Sequence, residues 1–246
     1  MIPLTPLALI TGGAHRLGRL FALEAARQGY AVALHYHHSR SQAEATAQEI
    51  RALGHPAFLL SADLSDVRQI FALFDELDRS LVVAPGSELR LLVNSAAVMP
   101  AADILSLAPE DWDATLALNL RAPFVCAQQA ARRMTGGGLI VNISDVAAEK
   151  TWSKYPAYTV SKAALETLTR ILARALAPSV RVNAIAPGLA LPAESLSPEA
   201  WDKLTGRLPL PRAASPAELT SALEFLLKNE YITGQVIRVD GGYSLI

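Results

Sequence analysis

Seven short and nearly unbroken apolar runs punctuate the chain, at residues 7–10, 31–35, 57–60, 89–93, 139–143, 180–185 and 235–239. A strand with one wet face alternates apolar and polar residues. A continuous run suits burial on both faces, which is the situation of a parallel sheet with helices above and below. The segments between the runs read as helices: 17–28, 42–53, 65–80 with Ser65 as its cap, 110–134, 156–177 and 217–228. This alternation predicts an α/β fold, a parallel sheet of about seven strands covered on both faces, in a single domain spanning 1–246. Two proline-marked passages interrupt it. Residues 83–86 read as a surface loop, and 187–216 as a long irregular passage with a short helix near 197–205. A passage of that length in a compact domain is usually functional, so 189–212 is expected to be a substrate lid.

The bulk composition narrows the classes of partner. Of the 246 residues 51% are hydrophobic and 18% charged, with a net charge of −1. Such a balance gives no electrostatic attraction for nucleic acid or an anionic membrane. The lone cysteine, Cys126, lies in the apolar stretch FVCAQQAA, without a second thiol for a disulfide or the neighbours of a metal site, and reads as packing. No metal is expected. The N-terminal MIPLTPLALITGG lacks a basic leader region and is broken by two prolines, so neither a signal peptide nor a membrane span is expected, and a cytoplasmic protein is.

Chemistry-bearing residues cluster at the ends of the apolar runs. Tyr158 and Lys162 are four apart in a helical stretch and share one face, where an ammonium beside a phenol favours the phenolate. Asp145 lies thirteen residues before the tyrosine, just past the fifth run. Together these form a candidate acid–base group. After the first run, Gly12, Gly13 and Gly18 suit a tight turn and helix N-terminus that present N–H groups to a pyrophosphate. After the second run, the stretch His35-Tyr36-His37-His38-Ser39-Arg40 contains no acid. A ribose diol needs a carboxylate there, whereas a 2′-phosphate is served by imidazoles, hydroxyls and a guanidinium, so NADPH is expected over NADH.

Taken together these motifs resemble the short-chain dehydrogenase/reductase family across essentially the whole chain. The matching pieces are the turn TGGAHRLG at 11–18, Asp63-Leu64, Asn94-Ser95-Ala96-Ala97, Asn119, Tyr158 with Lys162, Pro187-Gly188, and the ending from Thr233-Gly234 to Gly242. The resemblance implies a single-domain Rossmann fold with a doubly wound sheet. It implies a cofactor site of Gly12, His15, Arg16, Leu17, Gly18, Tyr36, His37, His38, Ser39, Asp63, Leu64, Asn94, Ser95, Ala96, Tyr158, Lys162, Pro187 and Gly188. Within that site Asp63 would hold the adenine and Lys162 the nicotinamide ribose, while Asn119 would support a water relay to Lys162.

Three departures point within the family. The middle glycine of the turn is Arg16, the second strand runs into His35-Tyr36-His37-His38-Ser39, and Asp145 stands where most members carry a catalytic serine. These resemble the pteridine reductase branch, which includes dihydromonapterin and dihydrofolate reductases of this fold. That branch implies catalytic Asp145, Tyr158, Lys162 and Asn119, and a pterin site with Arg16, Met99, Asp145, Tyr158 and Leu189. Met99 stands where pteridine reductases often carry a stacking aromatic residue. Ser144 would face away from Asp145 if the strand continues. The expected activity is reduction of a pterin or dihydrofolate-like ring by NADPH. The alternatives are a carbonyl reductase or alcohol dehydrogenase of the same family, or a non-catalytic NADPH-binding regulator. A homotetramer is implied, with the helices 110–134 and 156–177 partly interfacial.

Overall fold

The computed structural model describes residues 5–83, 87–192 and 196–246. Residues 1–4 of the N-terminal stretch, 84–86 of the loop and 193–195 of the expected lid lie outside the described residues. The elements are β1 (Thr5–Thr11), α1 (Arg16–Arg27), β2 (Ala31–Tyr36), α2 (Arg40–Ala52), β3 (Ala57–Ser61) and α3 (Val67–Val83). They continue with β4 (Ser87–Asn94), α4 (Pro109–Leu116), a π-helical turn (Ala117–Arg121), α5 (Ala122–Arg133), β5 (Gly138–Ile143) and a single-turn α6 (Ala147–Lys150). The chain ends with α7 (Pro156–Leu176), β6 (Val180–Pro187), α8 (Pro198–Thr205), α9 (Pro216–Lys228), β7 (Val236–Val239) and a closing 3₁₀ turn, Tyr243–Leu245.

All seven strands pair in parallel in the order β3-β2-β1-β4-β5-β6-β7. Alternate residues of each strand feed opposite faces. Leu7, Leu9 and Ala33 pack with Phe74, Leu77 and Val125 of α3 and α5. Ala8, Ile10 and Leu34 pack with Phe21, Ile50 and Leu223 of α1, α2 and α9. Both faces of the sheet are therefore dry, as the unbroken apolar runs require. The winding direction reverses between β1 and β4, whose ends meet at Thr11 and Asn94. A crevice opens beyond the strand ends at such a point.

Two local readings change. The stretch 110–134 is not one regular helix: the N–H of Ala122 bonds the carbonyl of Ala117, a one-residue widening of the ladder. Pro123 has no N–H to offer the carbonyl four residues back, and the π turn absorbs that missing donor. The start of α3 is capped by Asp66, whose carboxylate accepts the N–H of Arg68 at 2.9 Å, rather than by Ser65. Ser65 instead donates its hydroxyl to Asp63 at 2.7 Å.

The first strand–turn–helix is packed against its own backbone. A Cβ on Gly18 would stand 2.0 Å from the carbonyl oxygen of Gly12. Gly12 itself has φ 62° and lies where a Cβ would meet the Cα of Ala96 at 2.9 Å. Gly18→Ala is expected to destabilise the fold by about 1–3 kcal/mol through forced displacement of the turn. Urea unfolding followed by circular dichroism measures this, and an unchanged midpoint contradicts the packing argument.

Candidate active site

One cleft of about 1240 Å³ runs along the carboxyl ends of β1, β2, β4, β5 and β6. Its size exceeds that of an ordinary small-ligand pocket and leaves room for a dinucleotide and a second molecule. The expected residues Gly12, His15, Arg16, Leu17, Gly18, Tyr36, His37, His38, Ser39, Asp63 and Leu64 line one arm. Ser95, Ala96, Met99, Asp145, Tyr158, Lys162, Pro187, Gly188 and Leu189 line the rest. Asn94 and Asn119 are not on the wall but beneath it.

At the glycine turn, α1 begins at His15 without a side-chain cap and without an acid in its first turn. Its leading N–H groups are thus left for an anion. Thr11 joins this turn to the end of β4. Its hydroxyl accepts the N–H groups of Ser95 at 3.0 Å and Ala96 at 3.2 Å, and donates to Val93 at 3.4 Å. Arg16, replacing the expected glycine, has φ 51°, the left-handed region where a side chain costs roughly 1–2 kcal/mol. Its guanidinium reaches across the cleft and donates to the carbonyls of Pro192 at 3.1 Å and Leu191 at 3.3 Å.

Beyond β2 the expected set of phosphate-side groups divides. His37 and His38 stack on each other with ring centroids 3.5 Å apart, and both are exposed beside Ser39. Ser39 precedes α2 with no side-chain cap bond, so its hydroxyl is available. Arg40 is turned along its own helix to Glu44 at 2.9 Å and does not reach the cleft wall. His35 is likewise removed from the set. It is buried, its Nδ1 accepts the N–H of Gly12 at 3.1 Å, and its Nε2 bonds the carbonyl of Ala62 at 3.0 Å. Those partners fix the neutral tautomer with the proton on Nε2. Burial lowers its pKa from 6.5 to about 4, so it braces the glycine turn rather than meeting a phosphate.

The acid–base group is assembled from the end of β5 and the first turns of α7. Tyr158 donates its hydroxyl to Asp145 Oδ2 at 2.7 Å, and Asp145 Oδ1 accepts the N–H of Ala147 at 2.8 Å. Burial raises the carboxyl pKa of Asp145, against the lowering effect of these bonds and of Lys162. Lys162 is 3% exposed and donates to the carbonyl of Ile143 at 2.7 Å. Burial lowers its pKa to about 8, partly offset by Asp145. The expectation that the ammonium favours a phenolate is corrected. Burial first, then the charge and acceptor of Asp145, push the Tyr158 pKa well above its usual value. Lys162 lies 5.5 Å from the centre of the tyrosine ring and bonds elsewhere. The phenol therefore holds its proton.

Beneath the wall, Asn94 Nδ2 donates to Asn142 Oδ1 at 2.9 Å, and Asn142 Nδ2 donates to Thr169 Oγ1 at 2.9 Å. Asn119 clasps Val98 through both backbone groups, at 2.9 and 2.8 Å, and donates to Ser161 at 3.1 Å. Ser144 turns away from Tyr158 and donates to Glu166 at 2.9 Å. The sequence reading missed Trp152, Tyr155 and Tyr243, which also line the cleft. The first two were within reach, since they lie between Asp145 and Tyr158. Tyr243 belongs to the C-terminal motif of the resemblance, but nothing in the sequence places it in the cleft.

A doubly wound parallel sheet with a tyrosine–lysine pair in its crevice defines an oxidoreductase of the Rossmann type. The family model described as enoyl-(acyl carrier protein) reductase matches residues 12–244. The 3-oxoacyl-[acyl-carrier-protein] reductase FabG of Staphylococcus aureus is 33% identical, over 97% of this chain and 98% of that protein. Among solved structures, FolM alternative dihydrofolate reductase 1 from Brucella suis in complex with NADP is 35% identical with a TM-score of 0.89, covering 97% of this chain and 95% of that one. The angucycline C-6 ketoreductase LanV with bound NADP is 32% identical with a TM-score of 0.92, covering 98% and 96%. The chain belongs to the short-chain dehydrogenase/reductase family. No helix among the described residues is long and apolar enough to cross a membrane, and none of their side chains cluster as a metal site.

The neutral, buried His35 has a consequence for acid stability. Between pH 6.5 and about 4 the unfolded chain binds a proton at this ring that the folded chain does not. Its contribution is complete above pH 6.5, falls as pH drops, and levels off below about 4, a loss of up to about 3 kcal/mol. His35→Asn keeps an acceptor for Gly12 and removes the titration. Unfolding free energies measured from pH 7 to 4 should fall less steeply in the variant, and parallel curves would refute the assignment.

Proposed function

We propose that the protein is an NADPH-dependent reductase of a pterin or dihydrofolate-like ring. The observation that carries this is the 2.7 Å pair of Tyr158 and Asp145, with a carboxyl in place of the serine usual in this family. NADPH supplies a hydride to a ring carbon of the substrate, and the adjacent ring nitrogen takes up a proton. The Tyr158 hydroxyl, bonded to Asp145, holds that proton where burial and the carboxylate keep it from going to water. It donates as charge develops on nitrogen, and solvent restores the proton afterwards. A carboxyl group can also accept an N–H from the ring, which a hydroxyl of fixed orientation does less well. Asn119 holds the 98–99 wall and Ser161, so its role at Lys162 is indirect.

For the cofactor, the glycine turn and α1 would receive the pyrophosphate, Asp63 and Leu64 would bound the adenine, and Lys162 would hold the nicotinamide ribose. Tyr36, His37, His38 and Ser39 would receive the 2′-phosphate, with no carboxylate among them. The resemblance to FolM from Brucella supports both the cofactor and the ring substrate. The segment 189–212 serves as lid, and its described part is already tied to the cofactor turn by Arg16. Phe124 on α5 and Val160 and Ile171 on α7 are exposed apolar side chains that suit those helices to pack in a tetramer.

A second reading, reduction of a ketone, is favoured by the likeness to FabG and to LanV. Against it, Ser144, the serine adjacent to Asp145, is buried and bonded to Glu166. Turnover of a dihydropterin and of an aliphatic ketone, followed by NADPH absorbance, separates the two. Asp145→Ser is expected to depress dihydropterin reduction by about two to four decades with NADPH affinity nearly unchanged. Tyr158→Phe should behave likewise. Brisk ketone reduction, indifference to every dihydropterin and tolerance of Asp145→Ser would establish the ketone reading instead. NADPH should bind at least about tenfold more tightly than NADH, since charge-assisted contacts are worth about 1.5–3 kcal/mol each. Equal dissociation constants would reject the 2′-phosphate site.

A further inference from the structure

Three aromatic side chains stand on the cleft wall beside Asp145 and Tyr158 without a part in the acid–base group or the cofactor cradle. Trp152 follows Thr151, whose φ of 48° is unusual for a β-branched residue. Strain of this kind persists only where surrounding contacts hold it, and it concentrates at functional sites. Here the holding contacts are visible. The carbonyl of Trp152 accepts the N–H of Tyr155 at 3.1 Å and the hydroxyl of Thr159 at 3.3 Å, which clamps the loop onto α7.

The indole of Trp152 meets two rings from different parts of the chain. Tyr155 lies edge-on with centroids 6.3 Å apart, and Tyr243 lies at 6.0 Å and 46°. Tyr243 is delivered by the turn after β7, where Asp240 accepts the N–H groups of Gly242 and Ser244 at 3.0 and 2.8 Å. Lys150 on α6 fixes it from behind. Its ammonium lies 4.4 Å from the centre of the Tyr243 ring and donates to the carbonyl of Tyr243 at 3.0 Å and to that of Ile246. None of the three rings is sealed. Each is only partly buried and lines the same cleft as the catalytic pair, with Met99 and Trp201 across the same space. A ring cluster that merely closed a core would be covered on all sides. This one leaves its rings partly exposed on the wall of the cleft that holds Asp145 and Tyr158.

We propose that Trp152 and Tyr243 form a preset aromatic platform that selects a planar heteroaromatic substrate, supplying the π surface that Met99 does not. The inference rests on the ring-reductase reading and deepens it by naming the residues that set its specificity. Methionine packs adaptably on a flat ring but does not favour it over other apolar groups of similar size. An aromatic partner does, with about 0.5–1.5 kcal/mol beyond burial.

The test compares a flat ligand with a small aliphatic one on the NADP⁺-loaded protein. Oxidised pterin and butane-2,3-dione serve as binding probes, and dihydropterin as substrate, with tryptophan fluorescence and calorimetry as readouts. Trp152→Leu should weaken pterin binding, and raise KM for dihydropterin, about three- to tenfold more than it weakens the dione. Trp152→Phe should restore most of the pterin affinity while removing most of the pterin-induced fluorescence quench. Tyr243→Leu should act in the same direction as Trp152→Leu, and Tyr243→Phe should retain affinity, because the ring and not the hydroxyl is used. If Trp152→Leu does not fold, the two Tyr243 variants carry the comparison. Equal losses for pterin and dione, unchanged pterin affinity, or a wild-type protein that binds no flat ring would each overturn the platform. A wild type that binds pterin against Trp152 yet reduces no dihydropterin would refute the reductase reading and leave the platform in place.

Discussion

The burial of Lys162 is the constraint around which the functional half of the molecule is arranged. An ammonium removed from water costs several kcal/mol unless it is hydrogen-bonded and paired. Here the carbonyl of Ile143 receives it, so β5 must end where that carbonyl is free of the sheet. Asp145 follows two residues later and supplies the opposing charge. Tyr158 lies one turn before the lysine on α7 and completes the group through Asp145. Below, the chain from Asn94 through Asn142 to Thr169 ties β4, β5 and α7 together with every amide engaged. No buried side-chain polar atom among the described residues lacks a partner. The site is thus held by satisfied polar contacts, and displacing one would strand another in a dry interior.

Sequence pattern revealed the sheet because both faces are buried, which leaves a simple mark: unbroken apolar runs spaced by helices. It also revealed the residues at strand ends, since ends are where polar side chains resume. Its failures share a cause. His35 was grouped with the histidines that follow it, yet pleating sends adjacent side chains to opposite sides, and His35 points inward to Gly12 and Ala62. Arg40 was read as a phosphate group from its place in that run, but on a helix its natural partner is four residues on. The phenolate expectation considered the nearest cation by spacing and not the carboxylate brought in from another element. Contacts between elements decide these cases. For the same reason sequence does not show that Trp152 and Tyr243, ninety-one residues apart, are neighbours.

Arg16 shows how one residue can serve two segments at a cost in backbone strain. A glycine would fit its left-handed conformation without penalty. The arginine accepts that penalty and gains a side chain long enough to reach the loop after β6. The loop carbonyls it meets are neutral acceptors near the surface, so the contact is weak enough to be exchanged. An anionic pyrophosphate at the adjacent helix end is a stronger acceptor for the same guanidinium. The glycine turn and the loop after β6 are therefore joined through this one donor.

The aspartate beside Tyr158 alters what the pair can do, beyond altering its shape. A serine hydroxyl in that place orients a carbonyl oxygen and leaves the tyrosine as sole proton donor. A buried carboxyl accepts the tyrosine hydroxyl at 2.7 Å, tightens its hold on the proton and is itself pushed toward the neutral form. A tyrosine that resists losing its proton makes a poor base for oxidising an alcohol. In the proposed ring reduction the same tyrosine holds its proton for a nitrogen whose basicity rises as hydride arrives, and that gain in basicity supplies the driving force. The electrostatics of the pair and the aromatic side chains beside it both bear on the proposed substrate, a flat nitrogen-containing ring.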